Sequence, residues 1–326
     1  MAKPVIVSGI QPTGNLHIGN YLGAVKNWVD LQNSDKYQLY IFIADLHSLT
    51  GKISAANLRE QVLVTAAELL AAGIDPKKTT FFVQSQIPGH ADLAWIFNCV
   101  APMSELERMT QYKDKSEQLK QTTAGLFTYP ILQAADILMY KGNLVPVGQD
   151  QIQHVELTRD VARWFNNKYG EYFIETKHLL TEVPKVMSLL EPAKKMSKSL
   201  GEGHVVELAD EPEIIENKIK RAVTATEGGV KAPGAENLLL LLKQFGSAEV
   251  YEQFFKAEKD GSIRYGDLKT ELAKTISDYF STFRKKRSDL LNNKRKLAKI
   301  LQSGAKKAKK VAEKTMVDIR ALVGIR

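Results

Sequence analysis

A short segment near the start of the chain carries side chains suited to binding phosphate. His17-Ile18-Gly19-Asn20 follows a predicted strand and opens a predicted helix. Glycine at such a turn leaves room for a base or ribose, His17 can donate a hydrogen bond to a phosphate, and Asn20 adds a neutral donor. The spacing differs from the glycine fingerprint of dinucleotide-binding folds. Taken alone, the segment fits either a nucleotide site or a glycine-rich turn with a capping histidine.

A second polar segment lies much further along the chain. Lys195-Met196-Ser197-Lys198-Ser199 contains one apolar residue, so core packing gives no reason for it. A solvated lysine-rich loop is the simplest explanation. Two lysines that reach the α-phosphate and the departing pyrophosphate would, however, stabilise the charge that develops in a phosphate displacement. Together, the two segments indicate an ATP-using enzyme.

The elements that must position these segments alternate between strand and helix. This alternation is typical of a parallel sheet covered by helices on both faces. The predicted strands are Pro4–Ile10, Gln38–Ala44, Thr79–Gln84, Leu144–Val147 and Val186–Leu190. The predicted helices of this half are Gly14–Gln32, Leu58–Ala72, Ile131–Tyr140 and Ile152–Asn166. The pattern predicts an α/β fold with a Rossmann-like catalytic domain.

Two regions depart from this alternation. No strand pattern appears from Pro88 to Lys120, which indicates a helical insertion at about 86–128, between strands of the sheet. After about residue 205 only helical patterns remain. We predict a catalytic domain over 1–204, an all-helical domain over 205–300, and a basic C-terminal helix over 301–326 that packs back on the catalytic domain.

Composition argues against several classes of function. Hydrophobic residues make up 44% of the chain and charged residues 25%, a normal globular balance, and the apolar runs are far shorter than the roughly 20 residues of a membrane span. The N-terminus lacks the pattern of a signal segment. The single Cys99 cannot form an internal disulfide or a thiolate metal cluster, and we expect it to be a small buried side chain. We expect a cytoplasmic protein that does not contact a membrane.

Positive charge is concentrated near the C-terminus. Residues 281–326 contain 15 Lys or Arg against 3 Asp or Glu, a local charge of +12, which leaves −4 for the rest of a chain whose net charge is +8. Such a segment can simply keep a helical surface soluble. The asymmetry nevertheless favours contact with the phosphates of a nucleic acid.

The two polar segments carry a family resemblance. His17 to Asn20 resembles the HIGH motif of class I aminoacyl-tRNA synthetases, and Lys195 to Ser199 is identical to their KMSKS motif. Three longer runs are similar to the tryptophan enzymes of bacteria and mitochondria: Ser8 to Gly14, Gly148 to Gln151 and His154 to Asp160. The resemblance implies a homodimer that activates L-tryptophan with ATP and Mg²⁺ and transfers it to tRNA(Trp). The basic region and helical domain would then hold the anticodon arm.

The resemblance also implies which residues bind ATP. The catalytic residues would be Lys195, Lys198, His17 and Asn20. The residues around ATP would be Gln11, Pro12, Thr13, Gly19, Asn20, Gly148, Gln149, Asp150, Val186, Lys195, Met196, Ser197, Lys198 and Ser199. Gly148 would clear space beside the ribose, whose hydroxyls would donate to Asp150. The phosphates would hold Mg²⁺, so we expect no metal ligand from the protein.

Asp136 falls where this family binds its amino acid. An acid between Ala135 and Ile137 is not expected to be buried without a partner, although a solvent-facing position on a helix is also possible. Indole offers one N–H donor and no acceptor, so a carboxylate is its natural match. The implied tryptophan site consists of Asp136, Tyr129, Gln133, Gln151, Val7 and His47. His47 also fits a purely structural histidine.

Three other functions stay open on the sequence. Tyrosyl-tRNA synthetases resemble the chain at Tyr129, Gln133 and Asp136, but usually present Tyr where this chain has Val7. Tryptophan enzymes mostly carry Phe at that place, and many have Met in place of Gln133, which leaves the pocket geometry open. A non-catalytic synthetase-like RNA-binding protein and another nucleotidyl-transfer enzyme are the remaining alternatives. The intact Lys195 and Lys198 favour catalysis.

Overall fold

The chain is described by a computed structural model that covers residues 3–110, 122–148, 152–180, 184–224 and 233–326. Its internal contacts divide it into two compact units. Unit 1 comprises Met1–Gly14, Trp28–Glu182 and Asn293–Arg326, and unit 2 comprises Asn15–Asn27 and Val183–Asn292. Each unit is therefore assembled from segments that are separate in the sequence.

Unit 1 contains a parallel sheet. The strands of the described residues form one five-stranded sheet in the order β3-β2-β1-β4-β5. They are β1 Val5–Ile10, β2 Gln38–Ile43, β3 Thr79–Val83, β4 Leu144–Val147 and β5 Lys177–Leu180. Every residue of β2 after Gln38 is buried, as expected for a strand covered on both faces. The strand order reverses between β1 and β4, where sheets of this kind bind ligands at their carboxyl ends.

Helices account for most of the remaining described residues. In chain order they are α1 Ile18–Asn20, α2 Lys26–Asn33, α3 Asp45–Ser48, α4 Ala55–Ala71, α5 Gly89–Asn98, α6 Met103–Glu107, α7 Ala124–Leu138, α8 Ile152–Tyr169, α9 Pro212–Lys220, α10 Pro233–Phe245, α11 Ala248–Asp260, α12 Tyr265–Tyr279, α13 Ser281–Asn292 and α14 Lys294–Val323. A π-helical turn, Tyr21–Val25, joins α1 to α2. Among these described helices, none combines the length and apolarity needed to cross a membrane.

The longest helix, α14, completes the core of unit 1. It packs against β3, α4 and α5. A Cβ at Gly304 would collide with the backbone carbonyl of Phe81, so only glycine permits this approach of helix to strand. Further along, the Thr315 hydroxyl donates to the Met139 carbonyl at 2.9 Å. The C-terminal helix is thus an integral layer of unit 1.

Unit 2 is held by an aromatic cluster and a backbone clamp. The rings of Tyr21, Phe245, Tyr279 and Phe280 contact one another with centroid separations of 4.9 to 6.3 Å. Asn237 of α10 accepts a hydrogen bond from the Met187 amide at 2.9 Å and donates to its carbonyl at 3.0 Å. This clamp fixes the segment that precedes the Lys195–Ser199 pentapeptide.

The sequence predicted four of the five strands to within one residue at each end. The fifth prediction, Val186–Leu190, is wrong, because this segment makes only an isolated bridge between Met187 and Lys195. The true last strand is β5, an edge strand with exposed ends and a polar start at Lys177, which hid its pattern. Helix α7 also begins at Ala124, earlier than the predicted Ile131, since it continues through an internal Pro130.

One further expectation is corrected and another stays open. Cys99 is exposed at the C-terminal end of α5, so the expectation of a buried side chain is wrong. The domain boundaries at 204 and 300 and the insertion at 86–128 stay predictions. The two contact-defined units are divided differently, and residues 301–326 belong to unit 1 together with the first part of α14.

Candidate active site

In unit 2, His17 is held in a short strand-like pairing before α1. The Ile18 amide donates to the Val206 carbonyl and the Leu208 amide donates to the Leu16 carbonyl, both at 2.9 Å. His17 itself forms an antiparallel bridge with Glu207 and is 8% exposed. The backbone around His17 is thereby fixed on both sides.

Gly19 and Asn20 shape the turn beneath the His17 ring. A Cβ at Gly19 would lie 2.9 Å from two atoms of the His17 ring, so glycine lets the ring pack over the start of α1. The side-chain oxygen of Asn20, Oδ1, accepts a hydrogen bond from the His17 backbone amide at 3.2 Å. This bond turns the Asn20 side-chain oxygen toward the backbone and leaves its NH₂ group to act as a donor.

The lysine pentapeptide follows a second strand-like pairing in the same unit. The Met196 amide donates to the Val186 carbonyl at 3.0 Å, and the Met196 side chain is buried. Ser197 caps the following turn: its Oγ accepts from the Ser199 amide at 3.3 Å and lies 2.8 Å from the Ser199 Oγ. Met196 thus anchors the loop, and the two serines set the turn that bears Lys198.

Electrostatics link the histidine segment to the two lysines. The pKa of His17 is lowered from 6.5 to about 4, first by burial and then by the positive charges of Lys198 and Lys195. The ring is therefore neutral at pH 7. Lys198 Nζ donates to the backbone carbonyl of Asn15 and lies 3.8 Å from the Glu207 carboxylate, while Lys195 is exposed. Unit 2 thus brings together the catalytic residues that the sequence suggested.

In unit 1, a second group of the suggested ATP residues follows the carboxyl ends of β1 and β4. Gln11 and Thr13 are exposed, Pro12 is buried, and the Thr13 amide donates to the Gln11 carbonyl at 2.9 Å. Gly148 follows β4 directly and is half-buried. These four residues flank the point where the strand order reverses, the usual ligand position in such sheets. Gln149, Asp150 and Gln151 lie outside the described residues.

Asp136 is buried in unit 1 with three hydrogen-bonding partners. It is 1% exposed on α7. Its Oδ1 accepts from Gln84 Nε2 at 2.7 Å and lies 2.6 Å from His90 Nδ1, while its Oδ2 lies 2.8 Å from His47 Nε2. The expectation that a buried Asp136 needs a partner is met, and the alternative of a solvent-facing acid is excluded.

These partners keep Asp136 ionised. Burial favours the neutral acid, but hydrogen bonds from His47 and His90 outweigh it, and the pKa of Asp136 falls below its usual value. A carboxylate has about four acceptor positions, two on each oxygen. Both positions on Oδ1 are taken by Gln84 and His90. Among the described residues, His47 occupies one of the two acceptor positions on Oδ2. The other acceptor position on Oδ2 is left for a ligand donor.

The remaining suggested tryptophan residues lie around this acid or in the adjoining core. The Tyr129 hydroxyl lies 2.9 Å from His154 Nε2, and its ring meets the His47 ring edge-on with centroids 6.4 Å apart. Burial raises the pKa of Tyr129 to about 12, so its hydroxyl stays protonated. Val7 is 1% exposed in the apolar core of unit 1, and Gln133 is half-buried on α7.

Sequence reasoning missed three residues that contact the suggested site residues. Gln84 follows the carboxyl end of β3. Side chains at this position commonly bind ligands, so the sequence could have indicated Gln84 as a site residue. His90 lies in the predicted insertion, among apolar residues that gave no sign of a polar contact. Glu207 contacts Lys198 and accepts a hydrogen bond from the Asn15 side chain at 2.7 Å, but its sequence surroundings carry no motif.

No cluster of three or more His, Cys, Asp or Glu side chains in the described part of the chain is arranged to hold a metal ion. Beside His17 lie the positive charges of Lys195 and Lys198 and the carboxylate of Glu207, which pairs with Lys198.

Comparisons with known proteins agree with this arrangement. A family model described as class I tRNA synthetases (W and Y) matches residues 1–281. The chain is 44% identical to tryptophan–tRNA ligase 2 of Streptomyces avermitilis, with 99% of this chain and 97% of that protein covered. It is 45% identical to a tryptophan–tRNA ligase of Clostridium acetobutylicum, again with 99% and 97% covered.

A solved structure extends the likeness to three dimensions. Tryptophanyl-tRNA synthetase from Campylobacter jejuni, complexed with ADP and tryptophan, superposes with a TM-score of 0.87 at 34% identity, covering 98% of this chain and 100% of that one. A tyrosyl-tRNA synthetase from Archaeoglobus fulgidus reaches a TM-score of 0.69 at 22% identity, a likeness of fold alone. The chain therefore belongs to the class I tRNA synthetases of the tryptophan and tyrosine group.

Proposed function

We propose that this chain joins L-tryptophan to tRNA(Trp), using ATP, through a tryptophanyl-adenylate. The observation that carries the proposal is the ionised Asp136 carboxylate, which keeps one acceptor position for an N–H donor. The relatives named above as tryptophan–tRNA ligases, and the one crystallised with ADP and tryptophan, support the same substrates.

In the first step, a carboxylate oxygen of tryptophan attacks the α-phosphorus of ATP, and the bond to pyrophosphate breaks. Lys195 and Lys198 stabilise the negative charge that gathers on the phosphates in the transition state. His17 is neutral, so it donates a hydrogen bond without adding a third positive charge that would have to be buried. Asn20 contributes a second neutral donor through its NH₂ group.

In the second step, the terminal ribose hydroxyl of tRNA attacks the carbonyl carbon of the adenylate, and AMP leaves. No covalent intermediate with the enzyme is required. Gln11, Pro12, Thr13 and Gly148 would support the nucleotide from the ends of β1 and β4, together with Gln149 and Asp150. ATP would enter with Mg²⁺ held on its phosphates, since the cation prefers phosphate oxygens and water to an all-protein cage.

Val7 of unit 1 favours tryptophan over tyrosine, and Asp136 suits the indole although it would also accept from a phenol. Val7, which is buried and apolar, offers no hydroxyl to a substrate phenol. Asp136 in its ionised state is an acceptor only, which matches a side chain whose one polar group is an N–H. His47 lies on the same carboxylate oxygen that keeps the vacant position, so it would set the direction from which the indole donates. Tyr129, Gln133 and Gln151 would complete the pocket.

Pyrophosphate exchange into ATP, measured separately with tryptophan, tyrosine and phenylalanine, tests the proposal. Exchange is expected with tryptophan alone. Exchange with tyrosine and not tryptophan would make the chain a tyrosyl enzyme. No exchange with any amino acid, in a protein that still binds tRNA, would favour a non-catalytic RNA-binding role.

A basic groove on unit 1 supports the proposed contact with tRNA. It has a volume of about 620 Å³ and lies between the start of α14 and the loop before β3. Its lining includes five cationic side chains and no acidic one: Lys77, Arg295, Lys296, Lys299 and Lys307. Neutralising phosphates with such groups releases counterions, so tRNA affinity should fall steeply as salt rises. An affinity that barely changes with salt would contradict this role.

Two further parts of the proposal concern assembly and location. We propose a homodimer, in which the exposed apolar side chains of Trp95 on α5 (71% exposed) and Met103 on α6 (67% exposed) would be covered. Sedimentation should give twice the mass of one chain, and Trp95→Glu should lower the measured mass to that of one chain.

We also propose that the enzyme works in the cytoplasm, where its substrates ATP and tRNA are found. Fractionation of cells expressing the tagged chain tests that location.

A further inference from the structure

A buried chain of hydrogen bonds continues behind Asp136. His90 Nδ1 lies 2.6 Å from Asp136 Oδ1, and His90 Nε2 lies 2.8 Å from the Tyr140 hydroxyl. His90 is 0% exposed and Tyr140 is 2% exposed. The rings of Phe42 and Phe82 flank His90, with centroids 5.9 and 6.2 Å away. Placing polar groups in such an apolar core is costly unless every one of them is paired.

The direction of each hydrogen bond follows from the chemistry of the partners. An ionised carboxylate only accepts, so His90 Nδ1 must carry the hydrogen. In neutral imidazole the other nitrogen is then an acceptor, so the Tyr140 hydroxyl donates to His90 Nε2. Burial, followed by the charges of Asp136 and Tyr40, raises the pKa of Tyr140, which keeps that hydroxyl protonated. The chain therefore runs from the Tyr140 O–H to His90 and from the His90 N–H to Asp136.

This order determines which carboxylate oxygen is available. His90 and Gln84 fill both acceptor positions of Oδ1, at 2.6 and 2.7 Å. His47 fills one position of Oδ2 at 2.8 Å. Without His90, a position on Oδ1 would open as well, and the carboxylate would lose a donor that favours its ionised form. His90 does not need to touch a ligand to have this effect.

We propose that His90, supported by Tyr140, is a positioning residue for recognition of the indole N–H. It holds the Asp136 carboxylate so that, with respect to the described residues, the remaining acceptor position is on Oδ2. The inference rests on the proposed function, because it assumes that Asp136 receives the indole donor. It adds a specificity element that lies behind the residue facing the substrate, on α5 and just after the end of α7.

The test compares tryptophan with 3-benzothienyl-alanine, in which sulfur replaces the indole N–H at nearly the same size. The measured quantity is the ratio of kcat/KM for the two amino acids in pyrophosphate exchange. A site that demands a buried hydrogen bond can reject an analogue without the donor by about 10⁴-fold. In His90→Leu this ratio should fall about 10- to 100-fold, because the acceptor is less ionised and less fixed.

Two more variants separate positioning from general support of the fold. His90→Asn keeps a donor near the place of Nδ1 and should restore most of the ratio. Tyr140→Phe removes only the outer hydroxyl and should lower the ratio by about 3- to 10-fold. In His90→Leu one donor to the carboxylate is lost, so burial raises the pKa of Asp136 and the ratio should be more sensitive to acid than in wild type. The titratable groups that act on this carboxylate are His47 and His90; Tyr140 lies behind His90, and Tyr40 acts on Tyr140.

The proposal is overturned if folded His90→Leu changes kcat/KM for both amino acids equally, or if His90→Asn performs no better than His90→Leu. If His90→Leu does not fold, Tyr140→Phe decides, and an unchanged ratio there also overturns it. Wild-type exchange and Asp136→Asn are measured first. Absence of tryptophan exchange, or an unchanged ratio in Asp136→Asn, counts against the proposed function and leaves the test of His90 separate.

Discussion

Asp136 in unit 1 and Lys198 in unit 2 both carry charge for the proposed reaction, but their surroundings differ. Asp136 is 1% exposed and is fixed by side chains from three other segments of the chain. Lys198 is half-buried on a short turn, and Lys195 beside it is exposed. A rigid acceptor can reject side chains that lack its matching donor. Long, flexible lysines are better suited to phosphates whose charge moves during the reaction.

The largest expected effect concerns the flexible site. Lys198→Ala should lower kcat for tryptophan-dependent pyrophosphate exchange about 1000-fold, because a charge that stabilises the transition state is lost. The Kd for tryptophan, measured by calorimetry, should stay within about 2-fold, since Asp136 is untouched. Lys194→Ala removes a neighbouring exposed lysine that pairs with Glu191 and serves as the matched control. Equal losses in the two variants would contradict a specific role for Lys198.

A smaller effect is expected at the rigid site. Asp136→Asn should lower kcat/KM for tryptophan about 100-fold, because an amide cannot accept from His47, His90, Gln84 and an indole at once. KM for ATP should hardly change. Asp92→Asn, at an exposed ion pair with Arg320, is the control for loss of one carboxylate. A large rise in KM for ATP in Asp136→Asn would contradict the view that Asp136 acts on tryptophan and not on ATP.

The stability of the folded chain in acid should depend on His17, in the site of unit 2. The pKa of His17 is about 4 in the folded chain and 6.5 when the ring is free in water, so between these values the unfolded chain binds more protons at this residue. Stability from His17 is therefore complete above pH 6.5 and is lost as the pH falls toward 4. From pH 7 to 4.5, wild type should lose up to about 2 kcal/mol more unfolding free energy than His17→Asn in urea titrations. Parallel pH curves for the two proteins would contradict the buried neutral ring.

The smallest effect concerns the basic groove, which lies outside both sites. Lys296→Ala with Lys299→Ala should weaken tRNA binding about 10-fold and make the salt dependence shallower, with tryptophan-dependent exchange unchanged. Lys306→Ala with Lys310→Ala removes equal charge from positions of α14 that do not line the groove. If both pairs weaken tRNA binding equally, charge on the whole helix matters more than the groove.

The sequence predicts features set by neighbouring residues better than features set by contacts between residues far apart in the chain. Strands β1 to β4 were predictable because their apolar runs are local. Strand β5 was not, since it is a short edge strand that begins with Lys177 and His178. The start of α7 was misplaced for a related reason, because Pro130 is tolerated inside a helix that packing holds in place.

The amino acid site shows the same limit at the level of single residues. The apolar neighbours of Asp136 indicated that the acid needs a partner if it is buried, but they left a solvent-facing position open. Its partners were less accessible, because His47, Gln84 and His90 are 89, 52 and 46 residues away along the chain. His47 was named from its place after the second strand and from the family resemblance, and His90 was not found. Cys99 was misjudged because composition alone does not tell which face of α5 it occupies.

The close approach of Gly304 to Phe81 has a consequence for synthesis of the chain. Strand β3 is translated well before α14, the helix that packs against it. Unit 1 therefore cannot finish folding on the ribosome until the whole intervening segment, which forms most of unit 2, has been translated. Such late, long-range closure slows folding and leaves the edge of the sheet exposed to other nascent chains. The packing of α14 on β3 is therefore a late step in the folding of unit 1.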